Sequence, residues 1–235
     1  MKKKTLVEIN NIKKNYKNGD SVTCALKGIN LEIYEGEFLL ITGESGCGKT
    51  TLLNIIGGLD RADEGEFYFD GKLMNEASKR QLTKYPRENV GFVFQSYNLM
   101  PNLNSKQNLD LIAELVDDHL DSETTLEKVG LNNKLNNYPS QLSGGEQQRV
   151  SIARSLVKIP RLILADEPTA ALDYKTSIEV LEQLSLLPKN GTTLVMVSHN
   201  REIGKLANRV VRLQDGKIVE TKINNHPKKA SELVW

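Results

Sequence analysis

The run Gly43-Glu44-Ser45-Gly46-Cys47-Gly48-Lys49-Thr50 has the residue types and spacing of a loop that holds phosphate. It fits G-x-x-x-x-G-K-[ST] at every fixed position. Glycines let the backbone curl until several N–H groups point at one centre. Lys49 adds a point charge suited to β- and γ-phosphates, and the Thr50 hydroxyl suits Mg²⁺, with Thr51 following in the same turn. A second run, Leu162-Ile163-Leu164-Ala165-Asp166-Glu167, places two acids after four apolar residues. That is the carboxyl end of a buried strand, where open α/β sheets bind ligands. Asp166 reads as the Mg²⁺-associated acid and Glu167 as the general base that polarises an attacking water. Together the two runs predict a P-loop nucleoside triphosphatase. Kinases, GTPases, helicases and motors all share these features.

The elements around these runs read as a parallel sheet with a helical insertion. Phe38-Leu39-Leu40-Ile41 is a short apolar run bounded by Gly36 and Gly43, as a strand buried on both faces requires. Helical spacing follows at Lys49 to Ile56. Extended patterns appear at 7–9, 22–26, 29–33 and 67–69, and a buried strand at Val90 to Phe94. From Asn104 to Lys158 the spacing is helical, with Leu109, Ile112, Leu115 and Val116 on one face and Val150, Ala153, Leu156 and Val157 on another. Asparagines 132, 133, 136 and 137 and Pro139 break it. Strands return at Leu162 to Leu164 and Thr193 to Val197, joined by a crossover helix over Ser177 to Leu187. The tail after about Val219 is polar, and no chemistry is assigned to it.

Composition narrows the class further. Lys plus Arg is 31 and Asp plus Glu is 30, so a net charge of +1 gives no reason to expect nucleic acid as a partner. The basic start, Lys2-Lys3-Lys4, runs into an alternating strand pattern rather than an apolar core, and no stretch reaches the ~18 apolar residues of a membrane span. This predicts a chain kept in the cytoplasm and brought to a membrane only through a partner. Cys24 and Cys47 make no disulfide framework. His119 and His226 read as surface residues.

Leu142-Ser143-Gly144-Gly145-Glu146-Gln147-Gln148, directly before an amphipathic helix, resembles the LSGGQ-type signature of ABC ATPases, with Glu146 in the last place of the pentapeptide. Other markers of that family stand in order around it. Tyr16 resembles the aromatic that stacks on adenine, Gln95 the Q-loop glutamine, Ala171-Leu172-Asp173 the D-loop, and His199 the switch histidine. The likeness runs from about residue 5 to about 220. It implies one ABC domain over 1–235. Residues 1–95 and 159–220 would form a RecA-like core with a mainly parallel sheet and an antiparallel β subdomain, 96–158 an inserted helical signature subdomain, and 221–235 a tail. It implies ATP and Mg²⁺ as cofactors. Thr50, Gln95 and Asp166 would serve the metal, and Lys49, Gln95, Glu167 and His199 the hydrolysis. It also implies a head-to-tail homodimer in which Ser143 and Gly145 contact ATP held by the partner's loop, with Gly144 and Asp173 also among the nucleotide-binding residues.

Within the class, the runs Gln141 to Val150, Leu164 to Thr169, Ala171 to Thr176 and Asn208 to Leu213 are similar to the MacB/LolD-type subfamily. Such cassettes drive a separate membrane permease that acts on peptides, antibiotics or lipoproteins. Ala170 departs from the subfamily's usual Gly, and Asp117 to Thr125 looks shorter than usual. Cell-division cassettes share the core motifs, and a non-catalytic regulatory scaffold is the other reading. Glu167 and His199 speak against the latter. Only residues 51–141 separate phosphate loop and signature, without sustained heptads, which speaks against a coiled-coil DNA-repair type. A single phosphate loop speaks against the two-cassette translation type. After Gln95 comes an apolar loop with Tyr97, Leu99, Met100 and Leu103, the expected permease dock.

Overall fold

The computed structural model describes residues 3–19 and 21–234, so Lys2 and Trp235, which end the basic start and the tail, lie outside the described residues. Two sheets organise the chain. β1 (Thr5–Asn18) and β2 (Ser21–Tyr34) form a long bulged hairpin. β1 also pairs with β4 (Glu64–Phe69), and β4 with the short β5 (Lys72–Leu73), giving an antiparallel sheet of order β2-β1-β4-β5. The second sheet has the order β10-β9-β3-β8-β7-β6. Its strands are β3 (Phe38–Thr42), β6 (Val90–Val93), β7 (Leu162–Asp166), β8 (Thr193–Ser198), β9 (Arg209–Gln214) and β10 (Lys217–Ile223). Pairs from β9 across to β6 are parallel, and β10 is antiparallel to β9.

Every residue of β3 and β8 is buried, and every residue of β7 except Asp166. Period-2 alternation splits their side chains between two cores. Leu39, Ile41, Leu162, Leu164, Val195 and Val197 face the side shared with α1 (Lys49–Ile56) and the antiparallel sheet. Phe38, Leu40, Ile163, Ala165, Leu194 and Met196 face α5 (Gly144–Leu156) and α6 (Tyr174–Leu186). α1 and its sheet neighbours therefore hang on one face, and the signature helix on the other.

Between the sheets' segments lie α2 (Lys79–Asn89), α3 (Ser105–Ala113) and α4 (Ser122–Lys128). Apolar periodicity does not reveal α2, because only Tyr85 is buried in it and Pro86 sits inside it; a Ser78–Gln81 capping box starts it. The expected face through Leu115 and Val116 stops short. α3 ends at Ala113, tight turns follow (Leu115 N–H to Ile112 O, Val116 N–H to Ala113 O), and Leu115 is exposed. The polar tail also holds more structure than its composition suggests. β10 runs to Ile223, Ala230 and Leu233 are buried, and the Tyr174 hydroxyl donates to the Leu233 carbonyl at 2.6 Å.

One buried ion pair ties the turn before β3 to β9. Glu37, 3% exposed, accepts from Arg209 Nη2 at 2.6 Å and from the Tyr34 backbone N–H at 2.7 Å. Removing one member leaves the other charge buried alone. Glu37→Ala is expected to lower unfolding stability by about 3–5 kcal/mol, read from urea midpoints, with the Arg209→Met/Glu37→Leu double variant recovering most of it. A loss under about 1 kcal/mol for the single variant would show that water reaches Arg209.

Candidate active site

The parallel register brings three strand ends level. Thr42 pairs with Ser198, and Val197 with Asp166, so Gly43, Glu167 and His199 emerge side by side. The phosphate loop bridges from β3 to α1. Gly48 takes φ 104°, and a Cβ there would lie 2.5 Å from the Ala25 carbonyl, so both backbone conformation and space demand glycine. Lys49, 8% exposed, reaches back to donate to the carbonyls of Gly43 and Glu44, each at 2.8 Å. Its ammonium is thus held over the loop with a third donor to spare.

The start of α1 differs from the other α-helices. Ser78, Asn104, Asp121, Ser143 and Asp173 each cap a helix with a side-chain oxygen. Gly48 offers α1 no side-chain cap, and no acid stands in its first turn. The orphan N–H groups and the positive dipole end face the loop's concavity together with Lys49. This arrangement suits an anion.

Across from the loop stand the two acids. Burial pushes the Asp166 carboxyl above the usual range, the Glu167 charge adds to this, and Thr50 and Lys49 oppose it. Glu167 adopts φ 46°, an uncommon conformation for a residue with a side chain. Its Oε1 accepts from the His199 backbone N–H at 2.9 Å and meets His199 Nδ1 at 3.0 Å, and its Oε2 accepts from the Ser198 hydroxyl at 3.1 Å. A proton on Nδ1 makes the histidine contact a hydrogen bond and leaves Nε2 as the ring's other polar atom.

These groups line one groove of ≈ 640 Å³. Tyr16, Ser45, Gly46, Gly48, Lys49, Thr50, Thr51, Gln95, Asp166, Glu167 and His199 all contribute to its wall. Tyr16 is partly exposed there, its hydroxyl donating to Asp60 at 2.7 Å and Lys14 Nζ lying 5.2 Å from its ring centre. Gly43 and Glu44 border a smaller adjoining hollow of ≈ 160 Å³ with His199. Cys47 is buried beneath the loop. Ala170 joins the groove wall. Thr23, Cys24 and Ala25 on β2, with Asp215 and Gly216 in the β9–β10 turn, complete it. Sequence reading missed these five, because no motif marks residues that contribute through a hairpin's position.

Ser143, Gly144, Gly145 and Asp173 are not in that wall. Ser143 is exposed at the start of α5, where its hydroxyl accepts from Glu146 N–H at 3.3 Å and Glu146 accepts from Ser143 N–H at 2.8 Å. The Ser143 N–H and, less strongly, Lys134 hold the Glu146 carboxyl below its usual range. Gly145 is buried against α6, where a Cβ would fall 2.1 Å from Thr176 Cγ2. Asp173 caps α6, accepting from Thr176 N–H at 3.1 Å and Thr176 Oγ1 at 2.6 Å. Each chain therefore carries a phosphate groove and, apart from it, a signature surface.

A match to the ABC transporter family covers residues 26–170. The chain belongs to the ABC transporter ATP-binding cassettes. An uncharacterized ABC transporter ATP-binding protein of Methanocaldococcus jannaschii is 44% identical over 222 residues, 92% of this chain and 98% of that protein. The macrolide export ATP-binding/permease protein MacB of Marinobacter nauticus is 41% identical over 94% of this chain, which spans only 35% of MacB. The cassette MJ0796, solved as a dimer in a post-hydrolysis state bound to ADP and Pi, superposes with a TM-score of 0.85 at 40% identity, over 93% of this chain and 98% of that one. The cassette is an ATP-binding ATPase with MacB-type homologues, and its two-sheet α/β architecture is that of the solved ABC cassettes.

If Lys49 supplies the main phosphate charge, Lys49→Ala weakens ATP binding by at least about tenfold in titration calorimetry and turnover falls with it. Lys49 also ties two loop carbonyls, so circular dichroism of the variant confirms that the fold is retained. Wild-type turnover in a folded Lys49→Ala protein would remove Lys49 from the site.

Proposed function

We propose that two copies of this cassette close head to tail around two ATP molecules and drive a membrane permease of the MacB type. The observation that carries this reading is the separation just described. The groove around Lys49 lacks the signature, and the signature at Ser143 has no phosphate loop of its own. A two-fold arrangement supplies each with the other through one self-complementary patch.

In this reading, the loop N–H groups and Lys49 hold the β- and γ-phosphates, and Tyr16 takes the base. Glu167 accepts a proton from the water that attacks the γ-phosphorus as the bond to the β-phosphate oxygen breaks. His199, anchored by Glu167, borders the γ-phosphate position. Gln95, exposed after β6, closes the far side. The donor set also fits Mg²⁺. Asp166 is a carboxylate strained by burial beside the Thr50 hydroxyl, and the described residues hold no group of three or more acids, histidines or cysteines that could hold a metal ion by themselves. Mg²⁺ takes such sparse protein sets together with phosphate oxygens, and when bound it neutralises charge between the β- and γ-phosphates. Thr50, Asp166 and Gln95 would hold it.

No helix among the described residues is long and apolar enough to cross a membrane, so the permease would bring the cassette to the cytoplasmic face. The loop after Gln95 supports docking there, though not evenly. Leu99 turns in against the core, Tyr97 and Leu103 are half-buried, and Met100 is 50% exposed. Buried Asn108 buckles the loop from beneath, accepting from Met100 N–H and donating to the carbonyls of Met100, Leu103 and Asn104. Met100 is then an adaptable apolar contact on a rigid base.

Two measurements test the reading. Glu167→Gln should cut turnover by on the order of a hundredfold while ATP binding survives, and size-exclusion chromatography with ATP and Mg²⁺ should then show a dimer. A variant that stays monomeric under every nucleotide condition, with or without its permease, overturns the dimer mechanism. Met100→Asp should leave ATP binding and melting temperature intact and abolish co-purification with the permease. Normal co-purification would move the dock elsewhere.

A further inference from the structure

Gln148 is completely buried on α5, one turn beyond Gly144 and Gly145. Its Nε2 donates to the carbonyl of Pro168 at 2.8 Å, and its Oε1 is buried with no partner among the described residues. Buried polar groups are ordinarily satisfied, so a half-satisfied amide at this position calls for a reason. Pro168 directly follows Glu167. The proline ring fixes its own φ, which leaves ψ as the single soft torsion between its carbonyl and the peptide that joins it to Glu167. Glu167 itself holds an unusual φ of 46°, the sort of conformation that persists only when its surroundings fix it.

Further contacts lock α5 to the same region. Arg149 pairs with Glu179 of α6 at 3.0 Å, and Gly145 lies against Thr176. The second turn of a helix follows its first turn rigidly, at 1.5 Å per residue. We propose that Gln148 is a positioning residue that transmits the seating of Ser143 to Gly145 on the partner's ATP to the Glu167 of its own chain. It thereby couples the two ATP sites of the dimer. This rests on the head-to-tail reading above. Each signature then reports on one nucleotide while its helix orients the base acting on the other. Coupling of this kind makes hydrolysis cooperative in ATP, because filling one site completes the geometry of the other.

The test replaces the amide without touching the groove. Gln148→Leu keeps the apolar volume and loses both the bond and the orphan oxygen. Three outcomes are expected together. ATP affinity of the monomer is unchanged, and Gln148→Leu in the Glu167→Gln background still dimerises with ATP. In the otherwise wild-type chain kcat falls by about tenfold or more and the Hill coefficient for ATP drops towards 1. A kcat within twofold of wild type, or a Hill coefficient left as it was, overturns the proposal. So does a loss of dimerisation in step with kcat, which would mark Gln148 as merely structural. Should the leucine variant melt early, Gln148→Met, unbranched like glutamine, takes its place under the same criteria. If Glu167→Gln alone never dimerises, the underlying dimer reading has failed instead.

Discussion

The first turn of α1 presents backbone donors that no side chain satisfies, and the sheet keeps them so. Elsewhere a Ser, Asn or Asp oxygen closes the helix start. Here glycine stands at the cap position because the Ala25 carbonyl of the neighbouring hairpin leaves no room for a side chain. Lys49 adds a nearly buried positive charge at the same point, compensated by two carbonyl dipoles and not by an acid. Such a concentration of positive potential in partly desolvated protein costs stability, which a bound polyphosphate returns. Buried, continuous β3, β7 and β8 supply the stiffness, and their register sets the acids and the histidine opposite the donors.

A second helix start faces outward, and its chemistry differs in an instructive way. α5 is closed by the reciprocal Ser143–Glu146 box, so two of the N–H groups at its start are already engaged and a carboxylate stands beside them. A free anion gains less there than at α1. That asymmetry is compatible with the proposed head-to-tail dimer, in which this surface would meet phosphate only where another chain presents it.

Much of this was legible in the sequence because it is local. The phosphate loop, the acids after four apolar residues and the buried strands are all written in runs of eight residues or fewer. Asp173, in the run that resembles the D-loop, caps α6. What escaped was non-local or hidden in polar composition. α2 shows no apolar face, since only Tyr85 is inside. β10 buries no residue at the edge of the sheet and carries Lys217, Glu220 and Lys222, and so reads as tail. Thr23 to Ala25 reach the groove only because a fourteen-residue strand, paired in a long hairpin, carries them over it. Leu115 fits the helical period but falls after the helix has ended, where period no longer reports burial.

The hydrogen bonds of Glu167 fix its carboxylate to the end of β8. Its carboxylate accepts from the His199 backbone N–H and the Ser198 hydroxyl and meets the His199 ring, all at the end of β8. Hydrogen bonds to a charged group contribute about 1.5–3 kcal/mol each, so turning the carboxylate toward a water means exchanging partners at a comparable cost. A general base held this firmly is well positioned and poorly mobile. Whatever completes the site must therefore move the strand end with its whole set of donors, rather than the side chain alone. The chain offers two handles on that end: the His199 side of β8, open to the groove, and the Pro168 carbonyl, held from the opposite face by the signature helix. Glu167, the proposed general base, thus sits between the element that would sense its own nucleotide and the element that would sense its partner's.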